Sequence, residues 1–446
     1  MNITVSKNKK LPGNFYRLDD RRISRAKEKD RVVTRGDNTA ANERLNILWV
    51  KVGGLWPANT GGRLRSFHIL SQLSKKHNVT VLTTHSPSED PDALKQQLPF
   101  CHRVVSLPYA SPKRDSMRFL LSLFKSWFSP LPVDLYKNRI SGLQNAVQRL
   151  LKEEKYNICI ADFLFAVPNV PLKGSVPTIF FAHNVEYMIW KRLCRNESNP
   201  FKKMLLELEW RKMRNFETGV CKQAGMTIAV SQEDCNQLSA AAPDCAVSAI
   251  PTGVDVDYFR SAAEIFKSKP FELVFTGSMD WHPNEDAMLY FIEAILPVIR
   301  KSIAQVTLTI VGRNPSRKLY DAASKADVQV TGTVDDIRPY VDQAALYIVP
   351  LRIGGGTRLK IFEALAMGKA VVSTTIGAEG LPLKEGKHIV RADDADSFAE
   401  TVIMLLRDSK RRRMLGSAGQ QLMEEKYSWS TVADEFEARC RDALVL

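Results

Sequence analysis

From residue 45 onward the chain alternates between short runs of consecutive apolar residues and longer stretches in which apolar residues recur every three to four positions. The short runs read as strands buried on both faces and the longer stretches as amphipathic helices. Their alternation predicts parallel sheets covered by helices. The first run is 46–52. It is followed by glycine-rich residues, a helical segment at 63–73 and a second strand at 79–83. Strands at 103–107, 157–161, 178–182 and 227–230 continue the series, with a long helical pattern over 201–222. A second series opens with a strand at 272–276 and helix 285–300, then strand 306–311, helix 317–325 and strand 328–331. It continues with helix 336–343, strand 346–350, helix 358–367 and strand 370–373. Helices at 394–407, 409–426 and 429–444 close the chain. No internal repeat is present. The expected fold is therefore α/β, with two Rossmann-like doubly wound halves joined near 251–270. The expected division is a first domain at 45–255, a second at 256–426, and a terminal helix in 427–446 that packs back toward the first.

Composition narrows the class. Of 446 residues, 44% are apolar and 25% charged, which excludes a wholly disordered chain. Sixty-three basic against 49 acidic residues give a net charge of +14, which suits nucleic acid, an anionic membrane or phosphorylated substrates. Part of that excess lies in residues 1–44, which hold twelve basic and six acidic residues without helical period and read as a disordered tail. Aromatic residues do not interleave with basic ones along a strand face, so nucleic acid is not expected. The seven cysteines form no CxxC pair, which points away from a zinc site and toward a reducing compartment. The chain shows neither an apolar signal core nor a run of about eighteen apolar residues, so a cytoplasmic protein is expected.

In open α/β sheets, ligands bind beyond the carboxyl ends of the strands. Each half carries a glycine-bearing turn at such an end. In the first, Gly61 and Gly62 stand just before the helix, where free backbone N–H groups favour an anion, and Arg63 and Arg65 add charge. The spacing is not GxGxxG, so a dinucleotide cofactor is poorly supported. In the second, Gly354-Gly355-Gly356-Thr357-Arg358-Leu359-Lys360 leads into a helix. Glycines there let backbone approach a ligand. Cations at a helix N-terminus oppose the dipole, a conflict that a bound anion resolves. Glu363 falls one turn inside, within reach of a hydroxyl-bearing group. A third feature is the stretch 117–128, rich in large apolar residues and decorated by Lys113, Arg114, Arg118 and Lys125. It reads equally as core, as a membrane-interface helix, or as the wall of an acceptor groove for a lipid-linked glycan. Arg118, Trp127 and Phe128 are its candidate contacts.

The second half resembles the nucleotide-sugar domain of the family-four retaining glycosyltransferases, which have the GT-B fold. The resemblance rests on Phe275-Thr276-Gly277-Ser278-Met279, Ile310-Val311-Gly312-Arg313, Gly332-Thr333-Val334-Asp335-Asp336 and the glycine turn. Phe362-Glu363-Ala364-Leu365-Ala366-Met367-Gly368 and Gly377-Ala378-Glu379-Gly380-Leu381 complete it. The first half is similar to the family's acceptor domain through Gly61-Gly62-x-x-Arg65, His183-Asn184-Val185-Glu186, Val230-Ser231 and Pro251-Thr252-Gly253-Val254-Asp255, as is Tyr427-Ser428-Trp429 near the end. The resemblance implies transfer of a sugar from a nucleotide-diphosphate donor to a glycan or lipid-linked acceptor with retention, without cofactor or metal. It fits surface or exopolysaccharide synthesis; together with the cytoplasmic expectation, the stretch at 117–128 puts a peripheral position on the inner face of the plasma membrane among the expectations. The resemblance further implies that Glu363 holds the donor ribose, that Gly61 and Gly62 lie beside the diphosphate, and that His183 faces the transferred sugar. Gly277, Gly355, Gly356 and Thr357 join the donor site.

Two departures stand out. The family's first motif glutamate, which contacts the donor sugar, falls on Gly355. The family's diphosphate Arg and Lys are replaced by Ser278 and Pro283-Asn284. Arg358 and Lys360 are the cations left to stabilise a departing diphosphate, and with His183 they form the expected catalytic set. The alternatives are a glycosyltransferase-like glycan-binding or scaffold protein, and a sugar-nucleotide epimerase of the same fold. No paired carboxylates of the glycosidase kind stand out.

Overall fold

The computed structural model describes residues 43–445 except 57, 59, 113–115, 261–268 and 354–357. The tail read at 1–44 thus lies almost wholly outside the described residues. Seven strands form the first sheet: β1 (Asn46–Lys51), β2 (Asn78–His85), β3 (Arg103–Pro108), β4 (Ile158–Asp162), β5 (Thr178–Ala182), β6 (Met226–Ala229) and β7 (Val247–Ala249). Their order is β3-β2-β1-β4-β5-β6-β7, with every pair parallel. The second sheet holds β8 (Glu272–Thr276), β9 (Thr307–Val311), β10 (Gln329–Val330), β11 (Leu346–Val349), β12 (Val371–Ser373) and β13 (Val390–Arg391). Its order is β10-β9-β8-β11-β12-β13, again all parallel. The architecture is the expected pair of doubly wound halves.

The central strands show why the pattern was legible. Every residue of β4 and β8 is buried, because helices cover both faces of a parallel sheet and leave no solvent side for polar alternation. Strand order reverses between β1 and β4 and again between β8 and β11. A crevice opens at the carboxyl ends of those strands in each half. The chain crosses between halves twice, through 251–255 and through Tyr427–Ser428, and the two crossings touch: Val254 N–H donates to Tyr427 O at 2.7 Å and Val254 bridges Ser428. A Cβ on Gly253 would stand 2.6 Å from the Trp429 ring, so only glycine lets the linker lie against it.

Three expectations are corrected. Helix 285–300 is not continuous: a widened π turn, Phe291–Ile295, separates His282–Tyr290 from Leu296–Ser302. Pro297 lacks the N–H that an unbroken ladder needs, which accounts for the local rewinding. Gly61 and Gly62 do not precede the first helix but begin it, as Gly61–Lys76, behind Thr60 in extended backbone. The third concerns 117–128. Its helix, Met117–Trp127, is capped by Ser116, yet Met117, Leu120, Leu121, Phe124 and Phe128 are all more than half exposed. Core packing is therefore not its role.

The terminal helix Trp429–Asp442 lays Trp429, Val432, Phe436 and Cys440 into the core beneath the first sheet. Phe436 sits 5.7 Å from the Trp49 ring and 5.0 Å from Phe181. All seven cysteines are free, five of them buried. Among the described residues, no helix is long and apolar enough to cross a membrane.

Candidate functional site

On the second-domain side, the site starts from two glycines. Gly277 follows β8 and Gly312 follows β9, and the two turns approach so closely that a Cβ on Gly312 would stand 1.7 Å from Gly277 O. A Cβ on Gly277 would in turn meet Asn284 Nδ2 at 2.7 Å and Lys360 Nζ at 2.8 Å. The bare backbone there leaves room for the Lys360 amine, which donates to Asn284 Oδ1 at 2.7 Å and lies 4.1 Å from the Phe275 ring centroid. Asn284 itself donates to Ser278 O at 2.8 Å. Burial pushes the Lys360 ammonium down to about 7; Glu363 opposes that shift and Arg358 adds to it. Arg358 caps the helix Leu359–Ala366, is only 3% exposed, and donates to Ile376 O at 3.2 Å. Burial lowers its pKa too.

These groups face a cavity of about 350 Å³. Tyr258, Phe259, Trp281, Ile337 and Leu351 form an apolar wall, and Gly277, Asn284, Arg358, Lys360 and Glu363 a polar one. Such a mixture suits a flat ring joined to an anionic group. Gly355, Gly356 and Thr357 lie outside the described residues.

A second cavity, of about 480 Å³, lies between the halves. His183, Asn184, Met188, Ile189, Arg192, Ser231, Glu233 and Asp234 line it from the first domain, and Arg358, Phe362 and Glu379 from the second. Arg358 borders both cavities. Gly61 and Gly62 line neither, although a Cβ on Gly62 would come within 3.3 Å of His183 Nδ1. Trp127, Phe128 and Arg118 also lie away from both cavities, exposed on the surface.

His183 lies at the edge of the larger cavity but is only 5% exposed. Its Nε2 is 2.7 Å from Asp162 Oδ1 and its Nδ1 is 3.3 Å from Arg65 Nη1. Burial holds its pKa down to about 4, since the neighbouring Asp162 only partly restores the charged form and Lys51 and Arg65 oppose it. The imidazole is therefore neutral and engaged at both nitrogens. Asp162 and Lys51 had escaped notice in the sequence. Each is the last residue of an apolar strand, and a charge closing such a run at a carboxyl end was the signal available.

Two family models match this chain. "Glycosyltransferase Family 4" covers residues 61–258 and "Glycosyl transferases group 1" covers residues 270–408. The second match takes in every strand of the second sheet and its glycine-bearing turn, and the first takes in β2 to β7 with Gly61 and Gly62, beginning after β1. The chain belongs to the group 1 glycosyltransferases. This glycosyltransferase is 24% identical over 395 residues to an uncharacterized 44.6 kDa protein in the cps region of Klebsiella pneumoniae, covering 85% of this chain and 96% of that one. It is 30% identical over 198 residues to the phosphatidyl-myo-inositol mannosyltransferase of Mycobacterium tuberculosis, which spans 42% of this chain and only 51% of that enzyme. Among solved structures, Anabaena HepE in complex with UDP and glucose superposes with a TM-score of 0.59 at 13% identity, over 90% of this chain and all of HepE. That likeness confirms the GT-B fold.

Proposed function

We propose that this glycosyltransferase moves a sugar from a nucleotide-diphosphate donor to a glycan or lipid-linked acceptor, with retained anomeric configuration, during assembly of a surface polysaccharide. The observation that carries the reading is Arg358, buried where the two cavities meet. The donor's base and ribose occupy the smaller cavity, with Glu363 on the ribose hydroxyls, and the acceptor enters through the larger. The diphosphate then lies beside Arg358 and Lys360, near the bare backbone of Gly277. The N–H groups of Gly61 and Gly62, in the first turn of their helix, add donors from across the cleft.

Negative charge on the diphosphate grows as the glycosidic bond breaks, so cations fixed at that point favour the transition state over the ground state. The two side chains supply this charge, and the reading requires no metal or cofactor. Support for a nucleotide sugar comes from HepE, solved with UDP and glucose. Support for polysaccharide synthesis comes from the relative in a cps region.

The acceptor reading includes a lipid surface. Besides the exposed apolar residues of Met117–Trp127, Ile189 and Leu193 of helix Glu186–Asn196 and Phe201 and Met204 of helix Pro200–Gln223 are exposed. Ile189 also lines the larger cavity. Arg118 and Lys125 give the helix a positive charge suited to anionic lipid. The protein would then work peripherally on the inner face of the plasma membrane.

A metal-free thermal-shift series with UDP, GDP, ADP, TDP and CMP tests the donor site. A nucleotide present at about a hundred times its dissociation constant stabilises by roughly 2.7 kcal/mol. One of the five should raise the melting temperature by a few degrees, and Lys360→Met should abolish the shift. No shift with any nucleotide, in protein that melts cooperatively, would favour a glycan-binding protein instead.

A further inference from the structure

Asp162 ends β4 at the point where strand order reverses, and it is fully buried. Its Oδ2 accepts from Trp49 Nε1 at 2.8 Å and from Lys51 Nζ at 2.9 Å, and Lys51 also donates to Ser66 Oγ at 3.0 Å. Its Oδ1 meets His183 Nε2 at 2.7 Å. The other ring nitrogen faces Arg65, and a guanidinium only donates. Nδ1 is therefore the acceptor, and Nε2 carries the proton given to Asp162. Arg65 continues the chain: its Nε, at 3.0 Å, and its Nη2 both donate to Thr252 Oγ1 in the linker between the halves. The histidine ring is also packed against Gly62, in the first turn of helix Gly61–Lys76.

Nothing in the sheet requires this set. A buried group of Lys, Asp and Arg costs solvation that an apolar cluster of the same volume would not. Yet it sits at strand ends facing the cleft, where ligands of this fold bind. Backbone strain marks the same spot. Phe163, directly after Asp162, has φ of +80°, a region that side-chain-bearing residues rarely enter, and its ring stands 5.1 Å from His183.

We infer that Asp162 and Arg65 are positioning residues for the transfer: they fix His183 as its Nε2-protonated tautomer against Gly62 and tie that wall of the cleft to the linker at Thr252. The inference rests on the cleft being the site of transfer. It means that the imidazole neither gives nor takes a proton in the reaction. The network instead ties the helix start at Gly62, the histidine and the linker to one another.

The test uses the full chain labelled with 15N-histidine, together with release of nucleotide from the sugar nucleotide whose base gives the largest thermal shift. In the wild type, His183 should show a protonated Nε2 and a bare Nδ1, unchanged from pH 5 to pH 8. Asp162→Asn should populate the other tautomer and lower turnover at least tenfold, while the shift produced by the free nucleotide at the second domain is retained. Because that change leaves Lys51 without its counter-charge and can prevent folding, Thr252→Val is the companion. It should keep the tautomer and lower kcat at least threefold with little change in donor KM. A wild-type His183 that titrates near its ordinary value overturns the inference, as does folded Asp162→Asn with wild-type turnover, or Thr252→Val with unchanged kcat. The failure of every nucleotide to bind would sink the donor reading, whereas the tautomer measurement tests the network independently.

Discussion

Lys360 shows how one side chain can pull stability and function in opposite directions. Its pKa is lowered by burial to about 7, against an ordinary value near 10.5. Between those values the unfolded chain binds a proton that the folded chain does not, so this group adds stability as pH rises from about 7 toward 10.5. Over the same range the empty site loses the cation that a diphosphate requires. Nucleotide affinity should therefore weaken as pH rises through 7 while the apo protein grows more stable. Titration calorimetry and thermal melts at pH 6 and pH 9 would show both trends, and Lys360→Met should flatten both. Arg358 makes the companion case. Arg358→Ala should lower turnover at least tenfold, about 1.4 kcal/mol of transition-state stabilisation, with the fold retained. Wild-type turnover in a folded variant would remove Arg358 from the mechanism. Both cations were legible because they stand where a helix dipole disfavours them. Asp162 and Lys51 were not: they are 111 positions apart in sequence, and the sheet alone makes them partners at 2.9 Å.

Elements were read well where a single period dominates and poorly where tertiary contacts decide. β8 and helix Arg317–Lys325 fall where apolar spacing puts them. Short edge strands such as β13 pair over two residues and leave too little pattern to detect. The role of Met117–Trp127 could not be read from spacing either, since an amphipathic period fits core and interface alike. Exposure decided against the core. A similar case is helix Glu186–Asn196, which begins directly after His183-Asn184-Val185 with no side-chain cap of its own. Buried Glu217 serves from the next helix, its two carboxyl oxygens accepting from Glu186 N–H and Tyr187 N–H at 3.0 Å each. Glu217→Ala strands both donors, each at about 1–3 kcal/mol. Urea denaturation followed by tryptophan fluorescence should give a clearly lower midpoint. Glu217→Gln retains one acceptor and should lose less than the alanine variant. Equal loss in the two variants would show that packing, rather than capping, is what Glu217 contributes.

At the scale of the molecule, the first half completes its core with the last helix of the chain, which makes the two crossings between halves more than tethers. Trp429, Val432, Phe436 and Cys440 are all buried among residues of the first sheet and its first helix, whereas the second-domain core contains none of them. Burying a large apolar side chain contributes about 1.5–3 kcal/mol. Several such residues together approach the whole stability of a typical domain, about 5–15 kcal/mol. Ending the chain after Tyr427 should therefore cost the first domain its cooperative melting. The second domain should keep its transition, because Tyr427 stays in place with its ring 4.8 Å from Phe362. Differential scanning calorimetry with and without the stabilising nucleotide resolves the two. The surviving transition should still shift upward, since Lys360, Asn284 and Arg358 all belong to the intact half, while turnover should vanish. If the nucleotide-responsive transition were the one lost, the terminal helix would be supporting the second domain, and its packing against Trp49 and Phe181 would contribute little to the first.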